Sequence, residues 1–197
     1  ASFWLAARQV SGDFYDFIQL NDHTVAIAMA DVIGKGIPAA LMMSMFRGTL
    51  RAYSQGGYQR HTIKDIVTKL NKVACEECRD GEFITLFMVA IDVRDKKITW
   101  CNCGHEPPLL ASNGKITEMD KGGLVLGVLE NSEYEITTSE LRDGDTILMY
   151  TDGLIDAVNF QQQIWTRKPV EKLLLEYADT TSNKIVNTIL AYRRRFV

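Results

Sequence analysis

The chain of 197 residues is long enough for one domain with a sizeable core, and no break in composition marks a second. With 46% hydrophobic and 24% charged residues it is ordinary for a globular protein, and no apolar run approaches the roughly 20 residues that span a bilayer, so membrane insertion is not expected. A net charge of −3 leaves no basic surplus for gripping a phosphate backbone, which argues against nucleic acid as a partner.

The first residues, ASFWLAARQV, lack the basic start, long apolar stretch and cleavage site of a secretory signal, so Ala1 reads as a domain boundary. Four cysteines form no disulfide framework, and a reducing, cytoplasmic location is expected. Cys75, Cys78, Cys101 and Cys103 could be considered as a zinc set. The first pair lies in a helical pattern and the second is a C-x-C on a strand, so buried small hydrophobes are the better reading.

In chain order, residues 24–30 (TVAIAMA) form a β-rich run ending at Asp31 and a Gly-Lys-Gly turn, and Pro38 then opens a helical stretch, PAALMMSMFRGTLRAY. Residues 54–61 read as a loop. Ile63, Ile66, Val67, Leu70, Val73 and Ala74 recur at helical spacing up to Cys78. FITLFMVAID, a polar turn at 94–97 and ITWCNC predict an antiparallel hairpin, followed by a Gly104-His105-Glu106-Pro107-Pro108 loop. PLLA and KITEM about an Asn113-Gly114 turn predict a second hairpin, with EYEITTSEL and TILMYTD as two further strands. Helices near 169–178 and 183–195 close the chain, and Arg193, Arg194 and Arg195 read as a solvated helix end that complements the dipole. Early and late helices around a block of antiparallel strands predict an α+β fold, a sheet sandwich covered by helices.

Three aspartates share one context, Asp13 in SGDFYD, Asp31 in ADVIGKG and Asp152 in YTDG, each beside a glycine or a Gly-rich turn. Asp31 and Asp152 are expected to end apolar strands, where a sheet holds carboxylates rigidly at its rim. Singly, each could be no more than a turn former or cap. Brought together, two such charges at 4 Å cost about 4 kcal/mol at an effective dielectric of 20, so a shared cleft calls for protons or a cation. Carboxylates, carbonyls and water suit Mg²⁺ or Mn²⁺ rather than zinc.

VSGDFYDF, ADVIGKGIPAALMMSMFRGTLRA, FITLFMVAID, CNCGHEPPLL, LVLGV and LRDGDTILMYTDGLIDA occur in this order between Val10 and Ala157. Together they resemble the bacterial serine phosphatases of the SpoIIE and RsbU type within the PPM family of metal-dependent protein phosphatases. The resemblance implies a four-layer αββα sandwich, one phosphatase domain over residues 1–197, and two metal ions. It implies Asp13, Asp31, the Val32 carbonyl and Asp152 as metal ligands, with Asp31 bridging and Asp16 a weaker candidate. It further implies Mn²⁺ or Mg²⁺ as cofactor, metal-activated water as nucleophile, a phosphorylated regulator such as an anti-sigma-factor antagonist as partner, and a fused sensor or receiver domain.

No cysteine is followed by Arg at C-x₅-R spacing, which excludes a cysteine-nucleophile phosphatase. Gly34-Lys35-Gly36 fails as a P-loop, because Lys35 is followed by glycine and the upstream glycine is absent. His105 is expected to fix its loop by hydrogen bonding rather than serve as a general acid. The chain departs from the family at Ser11, where glycine is usual, and at Ile164, Trp165 and Thr166, where Leu-Phe-Gly is usual. The family's closing Asp-Asp-(Ile or Met)-Thr strand, which supplies a further ligand, is not found by Val197: either the sequence stops short of it or the second metal site is incomplete, and a phosphoprotein-binding module without turnover is the alternative reading.

Overall fold

The computed structural model describes residues 1–6, 9–55 and 62–197, so most of the loop expected at 54–61 lies outside the described residues. The elements are β1 (Phe14–Gln19), β2 (Thr24–Val32), α1 (Ile37–Ser54), α2 (Ile63–Glu77), β3 (Ile84–Asp92), β4 (Lys97–Cys103), β5 (Leu109–Ser112), β6 (Lys115–Glu118), β7 (Gly122–Gly123), β8 (Thr137–Glu140), β9 (Thr146–Leu148), α3 (Asp152–Ile155), α4 (Arg167–Glu176) and α5 (Ser182–Phe196). They form two sheets flanked by helices, as the α+β expectation requires.

Two compact units emerge. The larger, Ala6–His105 with Asp120–Leu141, holds a sheet in the order β1-β2-β3-β4-β7, with β8 also paired to β4. Its first four strands run antiparallel, and strict alternation in β2 sends Ala26, Ala28, Ala30 and Val32 into the core. Small alanines there let α1 approach closely. That helix starts with Pro38 in its first turn and contributes Phe46 and Leu50 to the same core, where Phe14 meets Phe46. The helix α2 is set by a capping box, in which the Thr62 side chain accepts from the Asp65 N–H and Asp65 accepts from Thr62. Its stripe Ile63, Ile66, Val67, Leu70 and Ala74 is buried at helical spacing.

The smaller unit, Ala1–Leu5, Glu106–Met119 and Arg142–Val197, holds an antiparallel sheet in the order β6-β5-β9. Its core joins Leu109, Tyr150 and Trp165 with Val170, Leu173 and Leu174 of α4 and Ile185 and Ile189 of α5. The Trp165 ring lies 5.3 Å from that of Phe196, and the Trp165 backbone N–H donates to Ala157 O at 2.7 Å, so the residue that departs from the family pattern anchors the segment before α4.

Three expectations change. The strand β1 had no predicted counterpart. The strand expected over TILMYTD ends at Leu148, and Asp152 opens α3 instead. The strand expected over EYEITTSEL is confined to β8, which joins the larger sheet, whereas β9 joins the smaller one.

Candidate functional site

In the larger unit, Asp31 and Val32 are the last residues of β2 and pair with Thr85 and Ile84 of β3. On the other side the β1 pairing ends at Phe14 and Ala30, one residue short of Asp31. Gly12 packs against it so closely that a Cβ at that position would lie 2.7 Å from the Val32 carbonyl oxygen and 3.4 Å from Asp31 Oδ1. Only glycine fits there. The motif around Asp13 and the motif around Asp31 therefore meet, on a rim of oxygen donors. Ser11 takes no left-handed conformation; its hydroxyl accepts the Asp13 N–H at 3.1 Å, so the departure from glycine ties down the residue expected to bind metal.

Asp16 has a different role. It sits on the face of β1 that α1 covers, 4% exposed, and accepts from Arg51 Nε and Nη2, both at 2.5 Å, and from Arg47 Nε at 3.2 Å. Burial works to raise its pKa, but the hydrogen bonds from Arg51 and Arg47 and their charges prevail, holding the carboxyl below its ordinary value. Asp16 is thus the acidic member of an ion-pair network, and its weaker candidacy as a ligand is corrected.

Gly34 and Gly36 have φ of 106° and 80°, which lets the chain turn out of β2 and into α1 while Lys35 stays exposed. His105 is buried and held on two sides. Its N–H donates to Asn102 Oδ1 at 2.8 Å, Asn102 Nδ2 donates to its carbonyl at 3.0 Å, and its Nδ1 lies 2.8 Å from Thr85 Oγ1. Thr85 is the β3 partner of Asp31, so this histidine fixes its loop against the strand beside the acidic rim, as expected.

In the smaller unit, Asp152 opens α3 with Thr151 as N-cap, and the Asp156 N–H closes the turn on Asp152 O at 2.9 Å. Glu106 lies near it: burial first, then the charges of Asp156 and Asp152, raise the Glu106 pKa, against a lowering by Arg167. Sequence reasoning missed Arg193. It donates through Nη2 to Gly153 O at 2.9 Å and through Nε to Leu154 O at 3.3 Å, whereas Arg194 and Arg195 are exposed. The spacing Ile185, Ile189, Arg193 could have revealed it as the inward arginine of the three.

Among the described residues no three His, Cys, Asp or Glu side chains stand together as a ready metal site, neither the four cysteines nor the aspartates singled out in the sequence. Cys101 and Cys103 are fully buried with sulfurs 3.9 Å apart, and burial pushes the thiols of Cys75, Cys78 and Cys103 up, away from the thiolate that zinc would take. The donors gathered at the end of β2 are carboxylate and carbonyl oxygens, which fit Mg²⁺ or Mn²⁺.

The architecture is that of the PP2C phosphatase domains. The SiaA-PP2C domain of Pseudomonas aeruginosa superposes with a TM-score of 0.82 at 19% identity, over 95% of this chain and 74% of that one. The family model of Stage II sporulation protein E (SpoIIE) matches residues 21–196, and the chain belongs to the SpoIIE family. It is 31% identical over 185 residues to the phosphoserine phosphatase RsbU of Bacillus subtilis, covering 93% of this chain and 54% of RsbU. Protein IcfG of Synechocystis is 33% identical over 193 residues, which cover 85% of this chain and 30% of IcfG. The chain thus spans about half or less of the length of these curated relatives.

Proposed function

We propose that this chain is a metal-dependent serine/threonine protein phosphatase domain that hydrolyses phosphoserine or phosphothreonine on a regulatory protein. The likeness to a phosphoserine phosphatase supports the reaction. The observation that carries the metal is the packing of Gly12 against the Val32 carbonyl and the Asp31 carboxylate, which joins two acidic motifs distant in sequence. Asp13, Asp31, the Val32 carbonyl and Asp152 are the proposed ligands of Mn²⁺ or Mg²⁺. Bound there, the ions supply a water of lowered pKa and neutralise charge on the phosphoryl oxygens.

The protein's own contribution is to hold those donors still. The pairing of β2 with β3 holds Asp31 and Val32, the Ser11 hydroxyl holds the Asp13 amide, and the Asn102–His105–Thr85 network holds the neighbouring loop. The substrate we favour is a phosphorylated anti-sigma-factor antagonist or similar regulator, with the domain acting in the cytoplasm as the output part of a chain that carries a sensor or receiver.

Release of phosphate from p-nitrophenyl phosphate is expected to require Mn²⁺ or Mg²⁺ and to fall at least a hundredfold in Asp31→Asn. Calorimetry that detects Mn²⁺ binding without any turnover, on this substrate or on a phosphoserine peptide, identifies a phosphoprotein-binding module instead. Failure to bind Mn²⁺ at millimolar concentration overturns the metal assignment.

A further inference from the structure

Resting on the proposed ligand role of Asp152, we infer that Arg193 is its positioning residue, a guanidinium that pins the turn carrying this carboxylate. The turn needs such support. With only the four residues Asp152–Ile155, α3 has almost no hydrogen bonds of its own: Leu154 N–H donates to Thr151 O at 3.0 Å and Asp156 N–H to Asp152 O at 2.9 Å. The carbonyls of Gly153 and Leu154 point beyond this short ladder, as the last carbonyls of any helix do. The Arg193 fork takes both, Nη2 to Gly153 O at 2.9 Å and Nε to Leu154 O at 3.3 Å.

The other end of the lever is equally firm. Arg193 continues the α5 stripe of Ile185 and Ile189, both 3% exposed, and the neighbouring Phe196 packs on Trp165. Leu154 and Ile155 of α3 lie against the same core. A helix anchored through its buried Ile185 and Ile189 thus delivers a planar two-donor group to the two peptide units that follow Asp152. A lysine could reach but would donate from a single rotating point, so the geometry selects arginine. Exposed Asp152 has Gly153 after it, a residue with little conformational preference, and Arg193 supplies the restraint that Gly153 lacks. Outer partners of this kind tune affinity through the ligand they hold.

The test is calorimetric Mn²⁺ binding to the protein carrying Arg193→Met, Arg193→Lys, Asp152→Asn, the Asp152→Asn/Arg193→Met pair, and Arg194→Gln as an exposed control. Circular dichroism confirms folding, and Arg193→Lys serves where the methionine variant does not fold. Arg193→Met is expected to weaken Mn²⁺ binding about tenfold, Arg193→Lys less, and Arg194→Gln not at all. In the Asp152→Asn background the same change is expected to add nothing, and amide exchange at Asp156 is expected to quicken in Arg193→Met without any metal present. Unchanged Mn²⁺ affinity in folded Arg193→Met and Arg193→Lys, beside a weakened Asp152→Asn, overturns the positioning role alone. An equal loss on either background shows a general structural effect and also overturns it. If Asp152→Asn itself binds Mn²⁺ normally, the ligand assignment falls first and the positioning role with it.

Discussion

Asp13, Asp16, Asp31 and Asp152 are one residue type in four situations, and only their surroundings separate them. Asp16 closes the SGDFYD motif that holds Asp13, yet β-strand alternation turns it onto the helix-covered face, where Arg47 and Arg51 one helical turn apart receive it. Asp16→Asn removes the charge from this network and is expected to lower unfolding free energy by about 1.5–3 kcal/mol in urea titrations. The sign with pH follows from the direction of the shift. Because the folded carboxyl titrates below its unfolded value of about 3.9, its stabilisation is present above that pH and fades as the pH falls through the folded pKa. Wild type and Asp16→Asn should therefore converge in stability under strong acid, and a constant gap between pH 2 and 7 would contradict the ion-pair reading.

At the scale of elements, the same distinction explains what the sequence could disclose. The helices α1 and α2 and the strands β2, β3 and β4 were legible because their apolar residues repeat at one period and Pro38, Thr62 and the 94–97 turn punctuate them. Strand β1 was not, since FYDFIQ carries a carboxylate on its core face, and only the distant arginines make that burial tolerable. Strand β7, two glycines, has no side-chain pattern to read. TILMYTD reads as one strand, but pairing with β5 stops at Leu148 and the chain then turns into α3. Another contact with no sequence signal is the clamp of α2 on the loop after β7. Asn71, fully buried, donates to Leu129 O at 2.9 Å and Glu130 O at 3.0 Å and accepts the Gly127 N–H at 3.1 Å. Asn71→Ala is expected to cost about 2 kcal/mol, chiefly the stranded Gly127 amide, and to raise hydrogen exchange at Gly127 selectively. Exchange there at the wild-type rate would show that another group takes the amide.

For the whole molecule, the candidate site was legible as motifs and not as distances: Asp31, Val32 and Asp152 fall within the family match at 21–196, Asp13 before it. Periodicity could not have paired Gly12 with Val32, because that contact depends on how β1 and β2 register. Carboxylates held together repel, so a folded state that presents them gains stability when a divalent ion neutralises them, while the unfolded chain has no such arrangement to gain from. At a Mn²⁺ concentration about a hundredfold above the dissociation constant, linkage gives about 2.7 kcal/mol. For a chain of this size that is a rise of about 5–10 °C in melting temperature. Asp31→Asn and Asp152→Asn should each abolish most of the rise, whereas Asp16→Asn should lower the starting temperature and leave the Mn²⁺ increment intact. That contrast separates carboxylates that serve the ion from one that serves the fold, and a full increment in Asp31→Asn would place the metal elsewhere.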